Sequence, residues 1–265
     1  MIMDDFNFLQ GYPRGVNRKA NDVKYEDGCD KQKNPMVDVA ANYRLITRCI
    51  GDAATKSGRD PTEIKLLGAA KAQSVETIRE ALAAGVALIG ENYIQEAADK
   101  KKQITHPIEW HMIGHLQRNK VKQALEIFDL IESVDNLALA QALDTEGARR
   151  GSAVRVYVEV NLGGEESKSG IAAQQAPALL TALAKLSHLR IEGLMTVPPY
   201  RDDPEEVRPY FRRLRQLRDQ LNGLLPAHVQ LVELSMGMTH DYPVAIEEGA
   251  TIVRIGTALF GPRGK

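Results

Sequence analysis

Cysteine is scarce: Cys29 and Cys49 are the only two in 265 residues. They leave no material for a disulfide framework or a paired zinc motif, and they point to a reduced, cytoplasmic setting. No window of about 18 apolar residues occurs, which excludes a spanning helix. The opening stretch MIMDDFNFLQGYPRG carries acids where an export signal carries bases, so a soluble, unexported protein is expected. Net charge is almost absent, at −1. The basic runs Lys100-Lys101-Lys102 and Arg212-Arg213-Leu214-Arg215 are interleaved with Asp99, Glu205, Glu206 and Asp219 and have no aromatic platform beside them. They read as solvated helix faces, and no nucleic-acid partner is expected. The single tryptophan, Trp110, reads as a core residue. His106 and His115 lack metal-ligand spacing, so no metal is expected.

The chain does have 43% hydrophobic and 26% charged residues, enough length for a large core, and a regular alternation. Residues 1–35 are polar and broken by Gly11, Pro13, Gly15, Gly28 and Pro35, and read as a loosely attached extension. The remainder, 36–265, reads as one domain. A leading helix is expected over Val37–Ser57. Eight short apolar runs follow, at Ile64–Ala70, Ala87–Glu91, Glu109–Gly114, Leu130–Val134, Val154–Asn161, Arg190–Val197, Val229–Ser235 and Thr251–Ile255. Between them lie amphipathic segments of 3.6-residue period, such as Val207, Phe211, Leu214 and Leu221. One helix between successive strands implies parallel pairing and right-handed crossovers, and eight such units close into a (β/α)8 TIM barrel of the α/β class. An open doubly wound sheet is the alternative.

A barrel of this kind carries its site at the C-terminal ends of its strands. The segment KLLGAAKAQS (65–74) runs as a buried strand and delivers Lys71 there. A lysine in a low-dielectric mouth has a lowered pKa and can attack an aldehyde. The last two strands end in LSMGMT (234–239) and RIGTA (254–258). Gly237 and Gly256 let backbone N–H groups approach a ligand, Ser235 and Thr257 add hydroxyls, and the last two loops of such barrels commonly bind phosphate. A phosphorylated aldehyde spanning the mouth is implied. Pyridoxal 5'-phosphate and the sugar phosphate of a Schiff-base aldolase both satisfy that chemistry.

Seven ordered segments go further: GAAKAQS (68–74), IGENYIQEA (89–97), WHMIGHLQRNK (110–120), VNLGGEESKSGI (160–171), GLMTVPP (193–199), LSMGMTHDYPVAI (234–246) and TIVRIGTALFG (251–261). Together they closely resemble the YggS/PROSC family of pyridoxal phosphate homeostasis proteins over about residues 37–262. The resemblance implies a barrel like the alanine racemase N-terminal domain and a Schiff base between the cofactor and Lys71. It further implies phosphate contacts from Ser235, Gly256 and Thr257, Arg254 facing the pyridine nitrogen, and Asn92, His111 and Met195 around the cofactor, with Glu91 a buried partner. An arginine beside the ring nitrogen leaves that nitrogen unprotonated and the cofactor a poor electron sink. Alanine racemases add a tyrosine from a C-terminal β domain, for which no counterpart follows the eighth strand here. A monomeric cytoplasmic carrier is therefore expected, passing the cofactor transiently to apo-enzymes and affecting amino-acid and keto-acid balance indirectly. An amino-acid racemase is the alternative. Family members often place a second lysine two positions after the first, followed by proline; Gln73 and Ser74 stand there, and Lys168 is the candidate substitute.

Overall fold

A computed structural model describes residues 37–165 and 169–262. The expected extension over residues 1–35, Cys29 and Lys168 lie outside the described residues. The strands are β1 (Lys65–Ala69), β2 (Leu88–Glu91), β3 (Glu109–Met112), β4 (Leu130–Val134), β5 (Val154–Asn161), β6 (Ile171–Ala172), β7 (Leu189–Met195), β8 (Glu233–Met238) and β9 (Ile252–Ile255). β6 is a two-residue addition alongside β5. The other eight pair in parallel and in sequence, and the ring closes because β9 pairs with β1 and β4 with β5. That closure rules out the open sheet and gives the expected barrel.

The helices are α1 (Val39–Lys56), α2 (Val75–Ala84), α3 (Ile94–Lys101), α4 (Val121–Ala124), α5 (Leu137–Arg150), α6 (Ala176–Leu183), α7 (Arg208–Asn222), α8 (Tyr242–Glu247) and α9 (Thr257–Phe260). Their starts follow local chemistry. Asp38, Ser74 and Asn136 accept from the backbone N–H groups of Ala41, Thr77 and Leu139, at 2.7, 3.2 and 2.9 Å. Each such cap satisfies a donor the helix cannot pair itself. On α7 the apolar stripe Phe211, Leu214 and Leu221 is buried. Its Arg208, Arg212 and Arg215 instead reach the Glu248 carboxylate, so this basic run is a structural face. Trp110 is in the core, as read from the sequence.

The period-2 alternation of the strands sorts side chains into two layers. Outward residues such as Ile89, Ile131, Val156 and Val253 join the large core under the helices. Leu67, Leu88, Leu130, Tyr157, Met195 and Ile252 form a separate small cluster that fills the barrel. Burying each leucine of this kind stabilises the fold by roughly 1.5–3 kcal/mol.

One strand departs from expectation. The seventh apolar run was expected to be a strand over Val229–Ser235, whereas β8 starts at Glu233 and runs on to Met238. Its pairing with β9 shifts from Ser235↔Ile252 to Met238↔Arg254, three residues against two, so the strand carries a bulge. Gly237 sits in that bulge at φ +92°, which an L side chain rarely adopts, and a Cβ there would lie 2.6 Å from the Ala245 Cβ. The bulge accompanies the run of β8 past Ser235, and it reverses which residues after Ser235 face inward.

Candidate functional site

At the C-terminal end of the barrel a cavity of about 380 Å³ collects Lys71, Asn92, Arg254, Gly256 and Thr257 from the ends of three strands, β1, β2 and β9. That volume is within the range of about 300–1,000 Å³ typical of small-ligand sites. Leu67 points into the barrel, Ala69 at the end of β1 lines the cavity, and Lys71 enters it from the turn that follows. Ala69, Gln73, Ile113, Val197, Tyr200, Met238, Thr239 and His240 complete the lining; Ile113, Met238 and Thr239 fall in segments that the sequence places at strand ends, without a role of their own.

The other four expected residues, His111, Met195, Ser235 and Gly237, do not line this cavity. Met195 packs among the barrel-filling side chains, and Val197, two residues on, takes its place in the wall. Gly237 is in the bulge and faces α8; Met238 and Thr239 reach the cavity instead. Ser235 is fully buried, donates from its Oγ to Glu132 Oε2 at 2.5 Å, and accepts from Arg254 Nη1 at 2.7 Å. A hydroxyl has one proton, so Ser235 has none left for a phosphate. Thr239 Oγ1 accepts from Ala258 N at 3.3 Å, which leaves its proton for an acceptor in the cavity beside Gly256 and Thr257.

His111 is buried as well. Its Nδ1 and Nε2 are 2.6 and 3.1 Å from Glu132 Oε1 and Glu109 Oε1, and its ring meets Tyr157 edge-on. Burial alone would lower its pKa, but the hydrogen bonds to Glu109 and Glu132 outweigh that and raise it to about 9. Glu109 in turn accepts from Arg155 Nη1. A continuous polar chain thus crosses the barrel: Arg254, Ser235, Glu132, His111, Glu109, Arg155. Glu132 is its hub, spending one oxygen on His111 and the other on Ser235. The signal for it was a carboxylate inside the apolar run LIESV, two residues after the inward-facing Leu130.

Arg254 is the cation of the floor. Its Nη1 and Nη2 donate to Ser235 Oγ and to Thr196 O, at 2.7 and 2.8 Å, which uses two of five donors and leaves others for a ligand in the cavity. Burial lowers its pKa, against the opposing charges of Glu132, Glu159 and Asp241. Glu159, also buried here, is pushed up to about 7 by burial and by Asp135, with Arg254 pulling the other way. The Tyr200 and His240 rings, both in the lining, pack in a tilted pair at 34° with centroids 5.4 Å apart, and His240 Nε2 donates to Asp202 O at 2.9 Å.

This donor set suits a phosphorylated pyridoxal: an amine at one wall, hydroxyl and glycine backbone at another, and a guanidinium on the floor. A wider cavity of about 990 Å³ opens at the N-terminal ends of the strands. Charges in its lining pair with each other, Lys65 with Glu233 at 2.5 Å and Arg155 with Glu192 at 2.9 Å.

Residues 62–264 match the family model described as "Alanine racemase, N-terminal domain". The pyridoxal phosphate homeostasis protein of Aquifex aeolicus is 46% identical over 221 residues, covering 83% of this chain and 96% of the relative. That of Pseudomonas aeruginosa is 42% identical over 229 residues, covering 86% and 97%. Among solved structures, PipY of Synechococcus elongatus with PLP bound aligns at a TM-score of 0.72 and 36% identity, covering 80% of this chain and all of that one. With its racemase-type barrel and this degree of identity along most of its length, the chain belongs to the pyridoxal phosphate homeostasis protein family.

Proposed function

We propose that this protein holds pyridoxal 5'-phosphate as a Schiff base on Lys71 and acts in intracellular homeostasis of that cofactor, affecting amino-acid and keto-acid balance indirectly. The carrying observation is the convergence of Lys71, Arg254, Gly256, Thr257 and Thr239 on one cavity. When bound, the cofactor supplies an aldehyde carbon to which the Lys71 amine forms a C=N bond with loss of water. Lys71 reacts as the neutral amine, and Ala69, Ile113 and Val197 line the same cavity. Gly256, Thr257 and Thr239 present backbone and hydroxyl donors to the phosphate, and Asn92 borders the ring.

Arg254 favours the carrier reading. A guanidinium in this position donates and cannot take up a proton, so it keeps the ring nitrogen unprotonated and weakens the cofactor as an electron sink, an arrangement in which racemisation calls for a second acid/base. The relatives' shared name agrees with a carrier role. We take the protein to act as a cytoplasmic monomer that meets recipient apo-enzymes transiently. Among the described residues no helix is long and apolar enough to cross a membrane.

The test is reconstitution with pyridoxal 5'-phosphate, borohydride reduction and peptide mapping. The wild type should show the visible band of lysine-bound cofactor and carry the reduced adduct at Lys71, and Lys71→Ala should show neither. A band that survives in Lys71→Ala overturns the assignment. Sustained loss of the α-proton from L-amino acids in deuterium oxide, with D-isomer formed, would replace the carrier by a racemase.

A further inference from the structure

Lys71 occupies the second position of a tight turn in which Gln73 N donates to Ala70 O at 3.0 Å. The third position, Ala72, has φ +59° and is the one non-glycine residue with positive φ among the described residues. Such turns favour glycine at that position, because a Cβ is crowded in the left-handed region. Ala72 therefore holds its conformation only if its surroundings enforce it.

The enforcement is visible on both sides of Lys71. Ala72 N donates to Glu96 Oε1 at 2.6 Å. Ala70 O accepts from Lys100 Nζ at 2.8 Å. The same Lys100 ammonium donates to Glu96 Oε1 and to Glu91 Oε1, each at 2.6 Å, so its three protons are all committed and its side chain is buried. Glu96 and Lys100 are four residues apart on α3 and so share a face of that helix. A helix outside the barrel thus grips the peptide groups immediately before and after Lys71 through a single ion pair, anchored from below by Glu91 at the end of β2.

We infer that Glu96 and Lys100 are positioning residues for Lys71: their ion pair imposes the left-handed turn at Ala72 and so keeps the Lys71 amine directed into the cavity, setting how fast it engages an aldehyde. The inference rests on the reading of Lys71 as the attachment point. Neither residue lines the cavity, so their effect on a ligand runs through the backbone of the turn.

The turn itself supplies the decisive test, since glycine adopts φ +59° without help. Glu96→Ala and Lys100→Met are each expected to slow development of the lysine-bound band by roughly 10- to 100-fold, the scale on which small misplacements act. In Glu96→Ala, the further change Ala72→Gly should recover most of the lost rate, although it restores no charge. A purely structural ion pair would give loss of melting temperature without that recovery. Unchanged rates in both single variants, or no recovery in Glu96→Ala/Ala72→Gly while that protein melts cooperatively, would overturn the inference.

A second readout needs no cofactor: hydrogen exchange at the Ala72 amide and the acetylation rate of Lys71, followed by mass spectrometry. Protection at Ala72 should be lost in Glu96→Ala, and the Lys71 acetylation rate should change with it. If wild-type protein takes up no pyridoxal 5'-phosphate, the proposed function fails, and this second readout still decides the clamp. Equal exchange in wild type and Glu96→Ala overturns the clamp itself.

Discussion

Ser235 Oγ stands 2.5 Å from Glu132 Oε2 and must be the donor there, because the Arg254 Nη1 group 2.7 Å away on its other side can only donate. The serine is therefore part of the floor, and the phosphate contacts proposed are Thr239, Gly256 and Thr257. Thr239→Val is expected to weaken binding of pyridoxal 5'-phosphate about tenfold, the value of a hydrogen bond to a charged group, and to leave binding of pyridoxal unchanged. Ser235→Ala should weaken both aldehydes alike and cost roughly 1–3 kcal/mol of stability, since it leaves a buried Glu132 oxygen one bond short. Parallel titrations with the two aldehydes decide it; a loss confined to the phosphorylated one in Ser235→Ala would return the serine to the phosphate.

The eight strands were legible because run length and helical spacing are local properties, and each apolar run is short enough to be only a strand. Lys71, Asn92, Arg254, Gly256 and Thr257 were legible for the same reason, since the end of a strand can be counted along the chain. That Ser235 lies deeper than the cavity wall could not be read along the chain, because a bulge is a property of two strands. Met238 opposing Arg254, rather than the residue before it, is set by pairing across β8 and β9 and by the φ of Gly237. Glu132 and Glu159 left a trace, each a carboxylate in an apolar run, but their partners lie on other strands and only barrel closure brings them together. The Lys100 clamp was hidden in what read as a solvated lysine run, because burial of its first member depends on how α3 packs.

Gly237→Ala tests the bulge. The left-handed φ of +92° and a Cβ 2.6 Å from that of Ala245 both penalise the change. A loss on the order of 2–4 kcal/mol is expected in urea unfolding, from backbone strain and overpacking together. A change within about 0.5 kcal/mol, the range of an unconstrained surface site, would show that the bulge is not needed.

His111 makes stability fall at high pH. Its folded pKa of about 9 lies above the ordinary 6.5, so the folded protein binds the proton more tightly than the unfolded chain does. The stabilisation is full below about pH 6.5, declines between the two values and is gone above about 9, and is worth on the order of 3 kcal/mol. Urea unfolding from pH 6 to 10 should show this decline in the wild type and a flatter curve in His111→Gln. Equal slopes would mean that the imidazole is not charged in the folded state.

Glu159 acts in the window just below. Its folded pKa is raised to about 7 from the ordinary 4.5, first by burial and then by Asp135, against Arg254. Its favourable contribution is full below about pH 4.5 and lost as pH rises through 7, above which a charged carboxylate is held in the barrel at a cost. Glu159→Gln should leave stability at pH 5 nearly unchanged and increase it at pH 8.5 by roughly 1–2 kcal/mol, less than the full linkage value because the cavity admits water. Lower stability at pH 8.5 would show that attraction to Arg254 outweighs burial.

Tyr200 covers the cavity at little cost to the fold. Its ring packs against His240, which is tied to Asp202 O, yet the side chain is 69% exposed, so the barrel does not depend on it. A ring pair of this kind is worth about 0.5–1.5 kcal/mol beyond buried area, equivalent to a rate change of roughly 2- to 12-fold. Tyr200→Ala is therefore expected to speed release of bound cofactor into an excess of a scavenging amine by about that factor, read as decay of the visible band. The melting temperature of the unloaded protein should stay where it was, since exposed side chains seldom contribute more than about 0.5 kcal/mol. Retention set by covalent attachment alone would leave the decay rate unchanged, and the aromatic pair would then have no part in holding the cofactor.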